Sequence, residues 1–195
     1  HAARAAGVLR RRAGSGVRPL PPQIVAAINT ACEQTGALYI ADEVQSGLGR
    51  TGQMFHSRTL GLSPDLISVG KALGAGVPVG AVLVSSRVAN AISAGDHGTT
   101  YGGNLLACRA ALAVLDALEG GLLDHVRRMG PIFADALRSL ADRHPSVVGV
   151  RGAGLIQGLV LDRDAAPVVP AALERGLIVN RTAERVVRLL PPYVI

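Results

Sequence analysis

Lys71 is the only lysine in the chain, although lysine and arginine together number 20. Arginine cannot replace lysine where a deprotonated amine must act, because its guanidinium stays charged. One lysine kept inside the apolar, glycine-rich run Leu66-Ile-Ser-Val-Gly-Lys-Ala-Leu-Gly74 therefore points to amine chemistry. A stray lysine in an arginine-rich composition is the plainer alternative. The second residue of interest is Asp42, which closes the apolar run Ala37-Leu-Tyr-Ile-Ala41. Alone, Asp42 reads as a strand-end turn or cap, and Lys71 as a surface lysine whose stem lies along apolar surface. Together they read differently. In open α/β sheets, ligands bind beyond the carboxyl ends of the strands. An acid and an amine on neighbouring strand ends would face one crevice. That pair is the equipment of a pyridoxal phosphate site: the amine takes the cofactor carbonyl, and the acid pairs with the pyridinium nitrogen. An amine desolvated among Gly70, Ala72, Leu73 and Gly74 would also be nucleophilic.

The surrounding elements must bring those two residues together. Pro21-Pro22 precede a helical pattern with apolar residues at 24, 25, 28 and 32, and Gly36 stops it. Short buried strands are expected over 37–41, 66–69 and 79–84, with a glycine-rich loop around Gly47, Gly49 and Gly52. Continuous apolar runs of this kind predict an α/β sheet covered on both faces. A long helix is expected over 104–118, closed by Gly120-Gly121, and a second over about 122–143, ended by Pro145. Strands are then expected at 147–150 and 155–161 around Arg151-Gly-Ala-Gly154. A short helix follows at 167–175, and final strands at 177–179 and 186–190.

The 195 residues are 49% hydrophobic and 17% charged, a composition that buries enough surface to fold rather than stay disordered. No stretch reaches ~18 apolar residues free of charge or turn signals, so no membrane partner is expected. The net charge of +6 comes mostly from Arg4, Arg10, Arg11, Arg12 and Arg18, in a head that contains no acid. Such a head can be a nucleic-acid arm or an import signal. With 3% aromatic residues and no tryptophan, a stacking platform for nucleic acid is not expected. A truncated or shifted start is the preferred account of the head, and a cytoplasmic location is expected. Cys32 and Cys108 have no ligand-like neighbours, so no metal site is expected.

Four runs in this order carry a resemblance. They are Ala41-Asp-Glu-Val-Gln-Ser-Gly-Leu-Gly-Arg-Thr-Gly52, Pro64-Asp-Leu-Ile-Ser-Val-Gly-Lys-Ala-Leu-Gly-Ala-Gly-Val-Pro-Val-Gly-Ala81, His97-Gly-Thr-Thr-Tyr-Gly-Gly-Asn104, and Gly176-Leu-Ile-Val-Asn180 with Val187-Arg-Leu-Leu-Pro-Pro192. Over about residues 14–195 the chain resembles the class III aminotransferases. The resemblance implies a partial fold-type-I large domain plus a small α+β C-terminal domain. It implies pyridoxal 5'-phosphate as cofactor, Lys71 as its covalent anchor and proton shuttle, and Asp42 on the pyridine nitrogen. Gln45 would contact the ring's phenolic oxygen, and Thr100 would bind the cofactor phosphate of the partner subunit in a homodimer. Arg188 would hold the substrate α-carboxylate with its planar fork. Plainer readings stay open: a polar loop residue for Gln45, helix capping for Thr99-Thr100, and a strand-edge surface arginine for Arg188. Arg50 has no role from its spacing, and His97 reads as a structural loop residue.

The activity implied is transfer of the δ-amino group of N-acetylornithine to 2-oxoglutarate, giving glutamate, in arginine biosynthesis. Ornithine, succinylornithine, 4-aminobutyrate or LysW-type donors remain alternatives, as does a non-catalytic association module. The family's upstream half supplies a Gly/Ser/Thr phosphate loop, a ring-stacking aromatic and a further arginine, and none of these is expected here. The expected organisation is a non-matching head over 1–18, part of the cofactor domain over 19–120, and the small domain over 121–195.

Overall fold

A computed structural model describes residues 7–9 and 16–195. Most of the expected basic head, including Arg4 and Arg10 to Arg12, lies outside the described residues. Among the described residues, 7–9, 20–48 and 55–120 form one compact unit, and 16–19, 49–54 and 121–195 form a second.

The first unit is built on a four-stranded sheet in the order β1 (Gly7–Leu9), β2 (Tyr39–Asp42), β3 (Leu66–Val69), β4 (Ala81–Val84). The first three strands are parallel and β4 is antiparallel. Part of the expected head, Gly7–Leu9, is therefore a strand of the sheet. Helix α1 (Pro22–Thr35) starts with proline, whose missing N–H is not needed in the first turn. It ends at Gly36, at φ +67, whose N–H returns to the Cys32 carbonyl. Its Val25 and Ile28 pack with Tyr39, Ala41 and Leu62 into the core on one side of the sheet. Two one-turn helices, α2 (His56–Thr59) and α3 (Ser86–Ala89), lie before β3 and after β4. Helix α4 (Leu105–Ala117) packs against the 3-10 turn Lys71–Gly74.

The expectation of a sheet covered on both faces is not met. All four residues of β4 are exposed, with Val82 at 59%, and among the described residues only the one-turn helix α3 packs on the strand besides its sheet neighbour. An apolar run identifies a strand made to be buried, but not the element that buries it.

The second unit holds an antiparallel sheet in the order β5 (Val147–Ala153), β6 (Ile156–Leu161), β8 (Val186–Leu189), β7 (Asn180–Arg181). Helix α5 (Leu123–Arg143) is amphipathic. Its Leu137, with Phe133 and Leu140, packs on Leu159, Leu161 and Val187. The other face is covered at Ile156 by Val17. The β5–β6 turn is tight: a Cβ on Gly154 would lie 2.7 Å from the Arg50 carbonyl oxygen, and a Cβ on Gly130 of α5 would lie 2.9 Å from Gly154 Cα. Arg151-Gly-Ala153, expected as loop, extends β5. The strand expected at 177–179 is absent. Only Asn180–Arg181 pair with β8, while Ile178 is 87% exposed. One further short helix, α6 (Val168–Leu173), precedes that segment. No helix among the described residues is long and apolar enough to cross a membrane.

Candidate active site

β2 and β3 run parallel with Asp42 opposite Ser68, and the ladder continues one step further, from the Glu43 N–H to the Ser68 carbonyl at 3.0 Å. Asp42 and the Gly70-Lys71 step thus leave the same end of adjacent strands, where the sequence placed them. Asp42 Oδ1 accepts from Ser68 Oγ at 3.3 Å and from the Val44 N–H at 3.2 Å. The carboxylate is aimed by the neighbouring strand and by its own exit turn. Ser68 was not singled out in the sequence, although it occupies the register position beside Asp42. The exit turn also reaches the lysine strand, since a Cβ on Gly70 would lie 3.6 Å from Val44 Cγ1.

Lys71 has φ +48, in the left-handed region that a side chain rarely adopts. It opens the 3-10 turn that the Leu73 N–H closes onto the Gly70 carbonyl at 3.0 Å. Backbone held in such a conformation persists only when its surroundings over-determine it. Here extended Gly70 precedes it and α4 packs on the turn. The expected desolvation of Lys71 is not met: its side chain is exposed. Its flanking apolar residues turn into the unit, Leu73 being buried, and leave the amine outside.

Glu43 is a residue the sequence did not mark. It is 3% exposed, and its carboxylate accepts from Ser46 Oγ at 3.0 Å, the His56 N–H at 2.9 Å and the Ser57 N–H at 2.6 Å. It ties the end of β2 to the start of α2 across the loop that follows Asp42. Tyr39, Asp42, Glu43, Ser46, His56 and Ser57 line a small cavity there, about 20 Å³.

Gln45 lies half-buried in the turn after Asp42. Thr100 is exposed in the turn preceding α4. It does not cap that helix: Asn104 does, its side chain accepting from the Ala107 N–H at 3.1 Å. His97 is an exposed loop residue.

Arg188 belongs to the second unit. The strand-edge alternative is overturned there, because β8 is paired on both sides, with Gly158 and Asn180 opposite Arg188. Burial pulls its guanidinium below the ordinary arginine value. Arg50, left without a role by its spacing, is deeply engaged in the same unit. Its Nη1 donates to the Pro191 carbonyl at 2.6 Å and to the Leu155 carbonyl at 3.3 Å. Among the described residues no cluster of metal-binding side chains occurs.

Comparison with known proteins is consistent with this arrangement. Residues 12–195 match the family described as Aminotransferase class-III. Acetylornithine aminotransferase 1 of Bordetella pertussis is 43% identical over 181 residues, covering 92% of this chain and 46% of that protein. Acetylornithine aminotransferase of Archaeoglobus fulgidus is 45% identical over 182 residues, covering 93% and 47%. The chain thus spans about half the length of the curated relatives it matches. Among solved structures, the ornithine aminotransferase of Toxoplasma gondii, described with partial occupancy of PLP at its active site, superposes with a TM-score of 0.83 at 36% identity, covering 92% of this chain and 44% of that one. The family is pyridoxal-phosphate dependent, and its members are transferases. With its four sequence runs, its strand-end acid and amine, and a match over nearly its whole length, this chain belongs to the class-III aminotransferases.

Proposed function

We propose that this chain carries the amine-bearing and carboxylate-recognising parts of a pyridoxal phosphate aminotransferase site, acting on N-acetylornithine as amino donor and 2-oxoglutarate as acceptor. The observation that carries the proposal is the placement of Asp42 and Lys71 at the same end of adjacent parallel strands, with Asp42 already oriented by Ser68. Those residues fit the ring end of the cofactor. An acceptor-only carboxylate faces the strand ends, and a single exposed amine lies one strand away. When bound, pyridoxal phosphate supplies an electron sink for the carbon that bears the amino group.

The chain's own residues would divide the remaining work. Asp42 would hold the proton on the pyridine nitrogen, its carboxylate being aimed by Ser68 Oγ and the Val44 N–H. Lys71 would anchor the cofactor and serve as the proton-carrying amine. Gln45 contacts the phenolic oxygen. Thr100 serves the phosphate of the partner subunit, which makes a homodimer the working unit. Arg188 offers two parallel N–H donors to the carboxylate of either substrate. The relatives at 43% and 45% identity favour N-acetylornithine as donor. The 36% likeness to an ornithine aminotransferase keeps free ornithine as the second choice.

The test is to mix the purified chain with pyridoxal phosphate, reduce with borohydride and map the pyridoxyl label. Label on Lys71, lost in Lys71→Ala and weakened in Asp42→Asn, is expected. Label distributed over the N-terminus alone, or unchanged in Lys71→Ala, would overturn the proposal.

A further inference from the structure

In the second unit, the loop Gly49–Met54, the β5–β6 hairpin and the segment leaving β8 converge on the side chain of Arg50. Pro191 and Pro192 lack N–H groups, so the chain beyond β8 cannot continue the ladder, and the Pro191 carbonyl needs a donor from elsewhere. Arg50 Nη1 supplies it at 2.6 Å and reaches the Leu155 carbonyl at 3.3 Å. The same guanidinium lies over the Tyr193 ring, 4.1 Å from its centroid. The Arg50 carbonyl in turn accepts from the Leu155 N–H at 2.9 Å. Burial raises the Tyr193 phenol above its ordinary value, and Arg50 pulls it back. One arginine therefore grips both the hairpin that delivers β6 and the exit of β8. Arg188 lies between those two holds, opposite Gly158 of β6 and three residues before Pro191.

We propose that Arg50 is a positioning residue for Arg188. By fixing the β5–β6 hairpin and the Pro191–Tyr193 segment to one planar fork, it sets the direction in which β8 presents the Arg188 guanidinium to a carboxylate. Arg50 makes no substrate contact of its own. A lysine at this position keeps the charge but loses the fork and the flat face that stacks on Tyr193. The proposal rests on the carboxylate role assigned to Arg188.

The experiment titrates the purified chain with 2-oxoglutarate by calorimetry and, separately, with pyridoxal phosphate by absorbance. Wild type, Arg50→Gln, Arg50→Lys and Arg188→Gln are compared, with thermal unfolding recorded for each. Arg188→Gln should abolish 2-oxoglutarate binding. Arg50→Gln should weaken it about tenfold, since small misplacements of a binding group are costly. Arg50→Lys should recover only part of the loss. Pyridoxal phosphate affinity should stay at the wild-type value throughout, whereas a general packing defect would lower both affinities. Should Arg50→Gln not fold, Tyr193→Leu removes the ring beneath the fork and should weaken 2-oxoglutarate alone. Wild-type 2-oxoglutarate affinity in the Arg50 and Tyr193 variants, with Arg188→Gln inactive, overturns the inference and leaves the role of Arg188 intact. If the wild type shows no 2-oxoglutarate binding, or Arg188→Gln binds it unchanged, both fall together.

Discussion

The two sheets of this chain differ in how they are finished. In the second unit β6 is buried along almost its whole length, with α5 on one face and Val17 on the other, and Leu155 at its hairpin turn has no exposed surface. In the first unit α1 covers one side of β2 and β3, while β4 presents Val82, Leu83 and Val84 at 59%, 43% and 39% exposure. Asp42 and Lys71 are carried by the less covered sheet, and Arg188 by the closed one. Every residue of β4 is apolar, whereas β6 includes Gln157 and Gly158. What separates the two is whether a covering element lies within the same unit.

The contrast can be broken most forcefully by removing equivalent apolar bulk from each sheet. Leu155→Ala should destabilise the second unit by about 2–5 kcal/mol, the range for truncating a fully buried leucine. Val82→Ala should change stability by less than about 0.5 kcal/mol, as at most surface positions. Chemical denaturation of both variants measures the difference, and equal losses would erase the distinction between the sheets.

A polar probe comes next. Glu43→Ala leaves the Ser46 hydroxyl and the His56 and Ser57 N–H groups without their acceptor inside the first unit. The expected cost is about 1–3 kcal/mol. Since Glu43 adjoins Asp42, pyridoxal phosphate affinity should fall in the same variant, a coupling that titration at matched protein concentration would reveal. A stable variant with unimpaired affinity would separate the Glu43 anchor from the site.

The mildest probe is alkali. The Tyr193 phenol titrates above its ordinary value in the folded chain because of burial. The folded state therefore holds this proton more tightly than the unfolded state does. The associated stability is complete below the ordinary phenol range near pH 10 and is lost as pH rises through the folded value. Unfolding midpoints of the second unit should drop on that alkaline limb, and Tyr193→Phe should flatten the drop.

Several of these features could be read from residue order. Leu66-Ile-Ser-Val69 is a stretch apolar but for Ser68 between Asp65 and Gly70, and it forms a strand over that span. Asp42 and Lys71 could be paired because each follows such a stretch directly, and parallel neighbours must release their exits on the same side. Other features depended on partners far along the chain. Arg50 and Pro191 are 141 residues apart, so no local pattern announces their bond. Leu177-Ile-Val179 has strand composition, yet β8 pairs only with Asn180 and Arg181, leaving the apolar run unladdered. Residue order left Lys71 open between a surface lysine and a desolvated amine for a related reason. Apolar neighbours in sequence show that a segment touches a core, not which way each side chain turns.

Lys71 at φ +48 has a consequence for how the amine is delivered. Its Cα–Cβ vector is set by the main chain of a turn braced by α4, not by packing around the stem. The lysine is thus pre-pointed at its root and exposed beyond it. The exposed side chain therefore leaves the strand ends from an origin fixed by the backbone of the turn.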